Sequence, residues 1–161
     1  MDVLWAPWRM TYILAEDKAP GCIFCLAAKW QGEEPLTLGV GENTVVLANK
    51  YPYINGHLLV APTRHVPNME SLSEKEMSDL LATVHQATVA LKKEMNPDGF
   101  NVGLNLGRVA GAGIEEHMHF HVVPRWNGDT NFMTVFADVR VIPQHIEDTC
   151  RQLAPHFAQV R

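Results

Sequence analysis

Apolar and polar positions change period several times along the chain, and each change marks an element. Asn43-Thr44-Val45-Val46-Leu47-Ala48 and His57-Leu58-Leu59-Val60-Ala61 are short, apolar, partly β-branched runs separated by Lys50-Tyr51-Pro52-Tyr53-Ile54-Asn55-Gly56. They predict two neighbouring antiparallel strands. From Ser73 the spacing becomes helical, with Met77, Leu80, Leu81, Val84, Thr88, Leu91 and Met95 on one recurring stripe. Ser73 and Glu76 have capping-box spacing, Lys92 and Lys93 suit the C-terminal end of the helix dipole, and Asn96-Pro97-Asp98-Gly99 ends it. Phe100-Asn101-Val102-Gly103-Leu104-Asn105-Leu106 and His117-Met118-His119-Phe120-His121-Val122-Val123 read as two more strands, the second ended by Pro124. A last helix is predicted from about Pro143, a residue suited to a first helical position, with Pro155 disturbing its end. Locally paired strands, one long central helix and one helix near the C-terminus predict an α+β domain on an antiparallel sheet.

The length of 161 residues suits a single domain spanning 1–161, and 47% hydrophobic with 19% charged residues is an ordinary globular composition. A formal charge of -5 argues against a broad nucleic-acid surface, which needs an excess of Lys and Arg, but leaves room for a local basic pocket. The first residues carry no basic segment leading into an apolar run, and no stretch approaches the ~18 apolar residues of a membrane span. A cytoplasmic protein without membrane attachment is expected.

The chemistry concentrates in His117-x-His119-x-His121. Residues two apart on a strand lie ~6.6 Å apart on one face, so the three imidazoles share a side while Met118, Phe120 and Val122 turn to a core. His85, His145 and His156 stand alone and read as ordinary side chains. Three clustered imidazoles can bind a catalytic metal together, or divide nucleophile and proton-transfer roles at a phosphoryl centre. The preceding segment favours the second reading. Asn101 to Gly113 carries Asn105, Arg108, Gly111 and Gly113 in a glycine-rich run immediately before the histidines, offering unobstructed backbone N–H groups and a cation as an anion cradle.

Three cysteines make no disulfide framework. Cys22-Ile23-Phe24-Cys25 is half a metal site or a redox pair, and Cys150 a bystander; the loop-like Asp17-Lys18-Ala19-Pro20-Gly21 before the pair lacks the strand that a thioredoxin-like site requires. Either His65 or His117 could contribute to a set of two cysteines and two histidines.

Gly56-His57-Leu58-Leu59-Val60-Ala61-Pro62, taken with His117-Met118-His119-Phe120-His121-Val122-Val123-Pro124-Arg125-Trp126, resembles the histidine triad (HIT) superfamily, over about Trp5 to Glu147. Leu4-Trp5-Ala6-Pro7-Trp8-Arg9, Phe100 to Gly107 and Arg125-Trp126-Asn127-Gly128-Asp129-Thr130-Asn131-Phe132 are similar to the bacterial branch that includes diadenosine tetraphosphate phosphorylases. The resemblance implies a HIT-like antiparallel sheet with a few helices, a catalytic strand at 117–123 and an N-terminal segment 1–30 carrying the cysteine pair. It also implies a homodimer with joined sheets, and some members assemble into tetramers. The implied substrate is a nucleotide, adenine preferred, cleaved at the α-phosphate of a dinucleoside polyphosphate or nucleoside phosphoramidate through a nucleotidyl-histidine, by phosphorolysis or hydrolysis.

By the same resemblance His119 takes the nucleophile's place, His121 that of the histidine contacting the α-phosphate and assisting the leaving group, and His57 that of a further histidine beside them. Asn49 falls at the ribose-contacting position, and Ile23, Phe24 and Leu47 at the walls around the base. Zinc-containing members match at Cys22, Cys25, His65 and His117, which makes zinc structural and His117 a ligand; no organic cofactor is implied. One departure is that Ala110-Gly111-Ala112-Gly113-Ile114-Glu115-Glu116 stands where many relatives have a phosphate-contacting serine, leaving that contact to backbone amides or Arg108. Two other readings remain at this point: a zinc metallohydrolase using all three histidines, and a non-catalytic nucleotide-binding module.

Overall fold

Five strands, β1 (Thr37–Val40), β2 (Thr44–Ala48), β3 (Leu58–Pro62), β4 (Gly99–Leu104) and β5 (Phe120–Arg125), form one antiparallel sheet in the order β1-β2-β3-β5-β4. Helices α1 (Ile23–Ala28), α2 (Glu74–Met95) and α3 (Ile146–Leu153) accompany it, the last running into a 3₁₀ segment at Ala154–Val160. The computed structural model describes residues 21–29, 36–129 and 142–160. The motif at Leu4 to Arg9 and the end of the motif at Thr130 to Phe132 lie outside the described residues. This is the α+β architecture expected from the sequence.

The period-two pattern sorts the strands onto two faces. Val46 and Ala48 of β2, Leu58 and Val60 of β3, and Phe120 and Val122 of β5 enter one core with Leu80, Val84, Ala87 and Leu91 of α2 and Leu153 of α3. Their alternates Val45, Leu47, Leu59 and Ala61 enter a second, smaller core under Phe24 and Ala27 of α1. Both faces of β2 and β3 are therefore covered, so these strands are buried throughout and, Thr44 apart, apolar. Among the described residues, no helix is long and apolar enough to cross a membrane.

The capping box is present at the start of α2: the Ser73 side chain accepts from the Glu76 N–H, and the Glu76 carboxylate accepts from the Ser73 N–H at 2.7 Å. Arg64 adds a two-pronged ion pair to Glu76 at 2.8 and 2.9 Å. Asn96, in the left-handed region at φ 46°, closes the helix.

The bounds of β5 and α3 differ from the expectation, β4 ends at Leu104 rather than Leu106, and β1 and α1 correspond to no predicted element. The ladder of β5 begins at Phe120, after His117 and His119, and runs through Pro124 to Arg125 rather than stopping at the proline. Arg125 C=O accepts from Asp98 N–H on the β4 side, so the adjacent Pro124 faces β3, whose pairing has ended at Leu58 opposite Val122. No ladder bond is lost there. Helix α3 starts at Ile146 with His145 as N-cap, because the His145 carbonyl is the first to accept helical bonds, from Asp148 and Thr149. Pro143 lies before the cap, and the Gln144 side chain is tied to Asn55 and Thr149.

Candidate active site and metal centre

Met118 is anchored by its N–H to the Val66 carbonyl at 2.8 Å and enters the larger core with Phe120 and Val122. The alternation therefore turns His117, His119 and His121 together onto the α1 side. His117 and His119 are buried and His121 is half-buried. Phe24 of α1 lies against both His117 and His119, with ring centroids 5.0 and 4.8 Å away.

Backbone groups fix the protonation pattern of four imidazoles. His119 Nδ1 is 2.9 Å from the His117 carbonyl, which can only accept, so Nδ1 carries the proton and Nε2 keeps its lone pair. His117 Nε2 donates likewise to the Pro62 carbonyl at 2.8 Å, leaving Nδ1 as its electron-pair donor. His57 Nδ1 accepts from the Tyr53 N–H at 3.1 Å and from the Asn49 amide at 3.2 Å, so His57 Nε2 is the protonated nitrogen. It donates to His121 Nδ1 at 2.9 Å, which leaves the His121 proton on Nε2. The outcome is a buried lone pair on His119 beside an N–H on His121, with the two rings 4.9 Å apart. Burial holds the His119 imidazole below the ordinary histidine value, against the opposing pull of its bond to the His117 carbonyl, and so favours the neutral ring.

The histidine that begins the triplet belongs to a different centre. Cys22 Sγ lies 3.3 Å and Cys25 Sγ 3.6 Å from His117 Nδ1, Cys25 Sγ 3.2 Å from His65 Nδ1, and the two Nδ1 atoms are 3.1 Å apart. All four donor atoms lie within 4.8 Å of one another. A zinc tetrahedron with Zn–S of ~2.3 Å and Zn–N of ~2.0 Å has edges of roughly 3.3–3.8 Å, so the donor set fits that ion and the four separations of 3.1–3.6 Å lie near its edge lengths. The Pro62 carbonyl on His117 Nε2 and the Glu116 carboxylate 3.9 Å from His65 Nε2 are the outer partners such ligands use. Burial lowers the His117 pKa as well, against its bond to Pro62 and with help from the neighbouring His65 and His119. With His117 Nδ1 turned to the cysteines and His119 Nδ1 to a carbonyl, the three histidines do not converge on a single point as a catalytic zinc would require.

The remaining candidates divide into two groups. Leu47 and Phe24 sit in the smaller core beneath the histidines, while Ile23 is 40% exposed on the outer side of α1. Phe24, fully buried, is a floor rather than an open wall. Asn49 holds His57 and accepts from the Tyr51 N–H at 3.0 Å. Asn105, Arg108, Gly111 and Gly113 lie on a separate loop, where the Asn105 amide bonds the Gly111 carbonyl at 3.4 Å and Arg108 faces Glu115 at 4.0 Å. Ile114 of that loop packs on the smaller core, which puts the loop on the histidine side of the sheet. Sequence reasoning missed Tyr53, whose N–H sets the His57 tautomer and whose ring stacks on His121 at 5.8 Å. A backbone donor leaves no residue-type signal. A cavity of about 530 Å³ among Asn55, Glu94, Trp126, Asp129 and Gln144 has none of these histidines in its lining, so the site is assigned from chemistry and not from concavity.

Known proteins are similar to this chain in sequence and fold. A profile of the HIT domain matches residues 36–128. An AP-4-A phosphorylase of Mycobacterium tuberculosis is 42% identical over 97% of this chain and 84% of its own length. An adenosine 5'-monophosphoramidase of Schizosaccharomyces pombe is 31% identical over 78% of this chain and 90% of its own length. Among solved structures, a Zn-bound histidine triad family protein from Mycobacterium smegmatis superposes with a TM-score of 0.68 at 27% identity, over 87% of this chain and 95% of its own. These relatives carry enzyme names or the family's, and with the histidines folded onto one face beside the cysteine pair, the chain belongs to the HIT family.

Proposed function

We propose that the protein transfers or hydrolyses nucleotidyl groups, attacking the α-phosphorus of a dinucleoside polyphosphate with His119 Nε2. The observation carrying this reading is the backbone-fixed pairing of a lone pair on His119 with an N–H on His121. As the Nε2–P bond forms, the bond from phosphorus to the leaving polyphosphate oxygen breaks, giving nucleotidyl-His119. Phosphate or water then attacks phosphorus and the Nε2–P bond breaks, regenerating the neutral imidazole; when water attacks, its proton passes to the released nucleotide or to solvent. His121 Nε2–H donates to the substrate oxygens, or gives its proton to a leaving amine, a contribution of about 10²–10⁴-fold. His57 is a positioning residue, keeping that proton on the nitrogen facing the substrate.

The 42% identity to an AP-4-A phosphorylase over nearly the whole chain favours an adenine dinucleoside tetraphosphate and phosphate as acceptor. Asn49 at the ribose, Ile23, Phe24 and Leu47 around the base, and the loop of Asn105, Arg108, Gly111 and Gly113 at the phosphates complete the proposed site. Zinc held by Cys22, Cys25, His65 and His117 would be structural, tying α1 to the catalytic segment. A homodimer joined through β4 is supported by that strand's place at the sheet edge, with Val102 46% exposed. A reducing cytoplasm fits thiolate ligands.

The test is incubation with diadenosine tetraphosphate, with and without inorganic phosphate, and separation of the products. ADP and ATP formed only with phosphate mean phosphorolysis, whereas AMP and ATP without phosphate mean hydrolysis. His119→Ala should lose at least about 10³-fold in turnover and all covalent nucleotidyl adduct, and exposed His85→Ala should lose neither. Near-normal turnover by His119→Ala would refute the mechanism.

A further inference from the structure

We infer that Lys50, Tyr51 and Tyr53 form a subsite for the leaving half of the substrate, one that selects a nucleoside polyphosphate over an amine. The inference rests on the proposed function and specifies its substrate class. Crossing the histidine face, the rings succeed one another as His119, His121 and Tyr53. His119 and His121 centroids are 4.9 Å apart, and Tyr53 lies 5.8 Å from His121 at 18° to its plane and 4.6 Å from His57. With His121 attending the leaving group, Tyr53 is the next ring beyond it, and the leaving half is assigned to that side of the histidines.

The segment carrying these side chains is pinned to the site by its own backbone. Tyr51 N–H donates to Asn49 Oδ1 at 3.0 Å, Tyr53 N–H to His57 Nδ1 at 3.1 Å, and Asn49 N–H to the His57 carbonyl at 3.0 Å. Such anchoring fixes the loop while its side chains stay at the surface: Tyr51 is 55% and Tyr53 38% exposed, and Lys50 is exposed with Nζ 5.8 Å from the Tyr51 centroid. Neither tyrosine belongs to either core. Two surface aromatics and a cation beside buried histidines match a ligand with a π face and several negative charges.

The two leaving-group chemistries make different demands. A polyphosphate leaves as a stable anion and needs a cation near its developing charge, a preorganised contribution of the kind Lys50 can make. An amine needs a proton, which His121 supplies, and has no use for Lys50 or Tyr51. In a chain with a formal charge of -5, a local cation also offsets the general repulsion of the anion.

The test compares diadenosine tetraphosphate with adenosine 5'-phosphoramidate, which share the AMP half and differ only in what leaves. Lys50→Met and Tyr51→Ala should lower the ratio of kcat/KM for the tetraphosphate over the amidate by about tenfold, Lys50→Met chiefly through kcat and Tyr51→Ala chiefly through KM, and Lys50→Arg should restore it. If the protein cleaves both substrates and the variants depress both alike, or leave the ratio where it was, the subsite is refuted while the function stands. If the unaltered protein cleaves neither substrate, the proposed function fails and the subsite falls with it.

Discussion

Gly56→Ala should destabilise the protein by about 2–4 kcal/mol, and its cost separates into two parts. Gly56 sits at φ +79°, where a residue with a Cβ is disfavoured by roughly 1–2 kcal/mol. A Cβ there would also stand 2.7 Å from Met95 Sδ, 3.1 Å from Leu91 Cδ2 and 3.2 Å from Pro124 Cγ. The thioether can swing aside, but Leu91 is fully buried and Pro124 is held in β5, so overpacking adds roughly 1–2 kcal/mol. For a chain of this length each kcal/mol moves Tm by about 2–4 °C, giving a fall of roughly 4–16 °C in a thermal melt. Gly107→Ala is the matched comparison: its φ is also +79°, but nothing lies within 4 Å of the added Cβ, so only the backbone part of about 1–2 kcal/mol should appear. Urea unfolding of both variants measures the difference. Equal losses in the two would refute the packing argument, and no loss at Gly56 would refute both parts. Because His57 follows directly, the same substitution should also lower turnover through the His57–His121 bond.

Cys25→Ser should reduce bound zinc, measured by elemental analysis, from about one ion per chain to well below one, and lower Tm by roughly 5–10 °C; retention of stoichiometric zinc would contradict the four-ligand centre. Arg64 first, and the Ser73 N–H next, hold the Glu76 carboxyl down at about 2, against an ordinary value of 4.5. Since the folded value is the depressed one, its contribution is complete above about pH 4.5 and is lost as pH falls toward 2. Allowing for solvent screening at Arg64, Glu76→Gln should cost about 1 kcal/mol at pH 7 and nearly nothing at pH 2, read from urea midpoints across that range. Burial, with Glu147 nearby, pushes the Cys150 thiol up to about 11, so in native metal-free protein at pH 8 a thiol reagent should label the half-buried Cys22 and Cys25 first and the buried Cys150 only after denaturant is added. Rapid native labelling of a third thiol would show that α3 does not seal it.

What the sequence could express was set by which interactions leave a trace in residue type. The faces of the histidine strand were legible because side-chain alternation is written directly as His119 against Phe120, whereas β2 and β3 showed only as apolar runs, since Val45 and Val46, or Leu58 and Leu59, differ in face but not in residue type. The start of α2 was legible because a capping box uses two recognisable side chains, Ser73 and Glu76. Helix α1 was not, since six residues carry too few turns for a period and Cys22 at its N-cap makes no side-chain cap bond. Pro124 misled the reading of β5 because a proline's cost depends on whether a neighbouring strand needs its N–H, and that is a property of register.

The same distinction governs the site. His57, His119 and His121 could be picked out as residues, yet what each can do depends on which of its nitrogens carries the proton. That is decided by the carbonyl of His117 and the amide of Tyr53, groups that every residue type but proline possesses. A sequence with these histidines and a slightly different path through residues 49–57 would present the opposite His57 tautomer, with Nε2 accepting and His121 turned to donate into it. The His121 proton would then be spent inside the protein. The constraint on Gly56 and the pinning of Tyr51 and Tyr53 thus serve one end: they hold a stretch of main chain where it selects the tautomer on which the proposed chemistry depends.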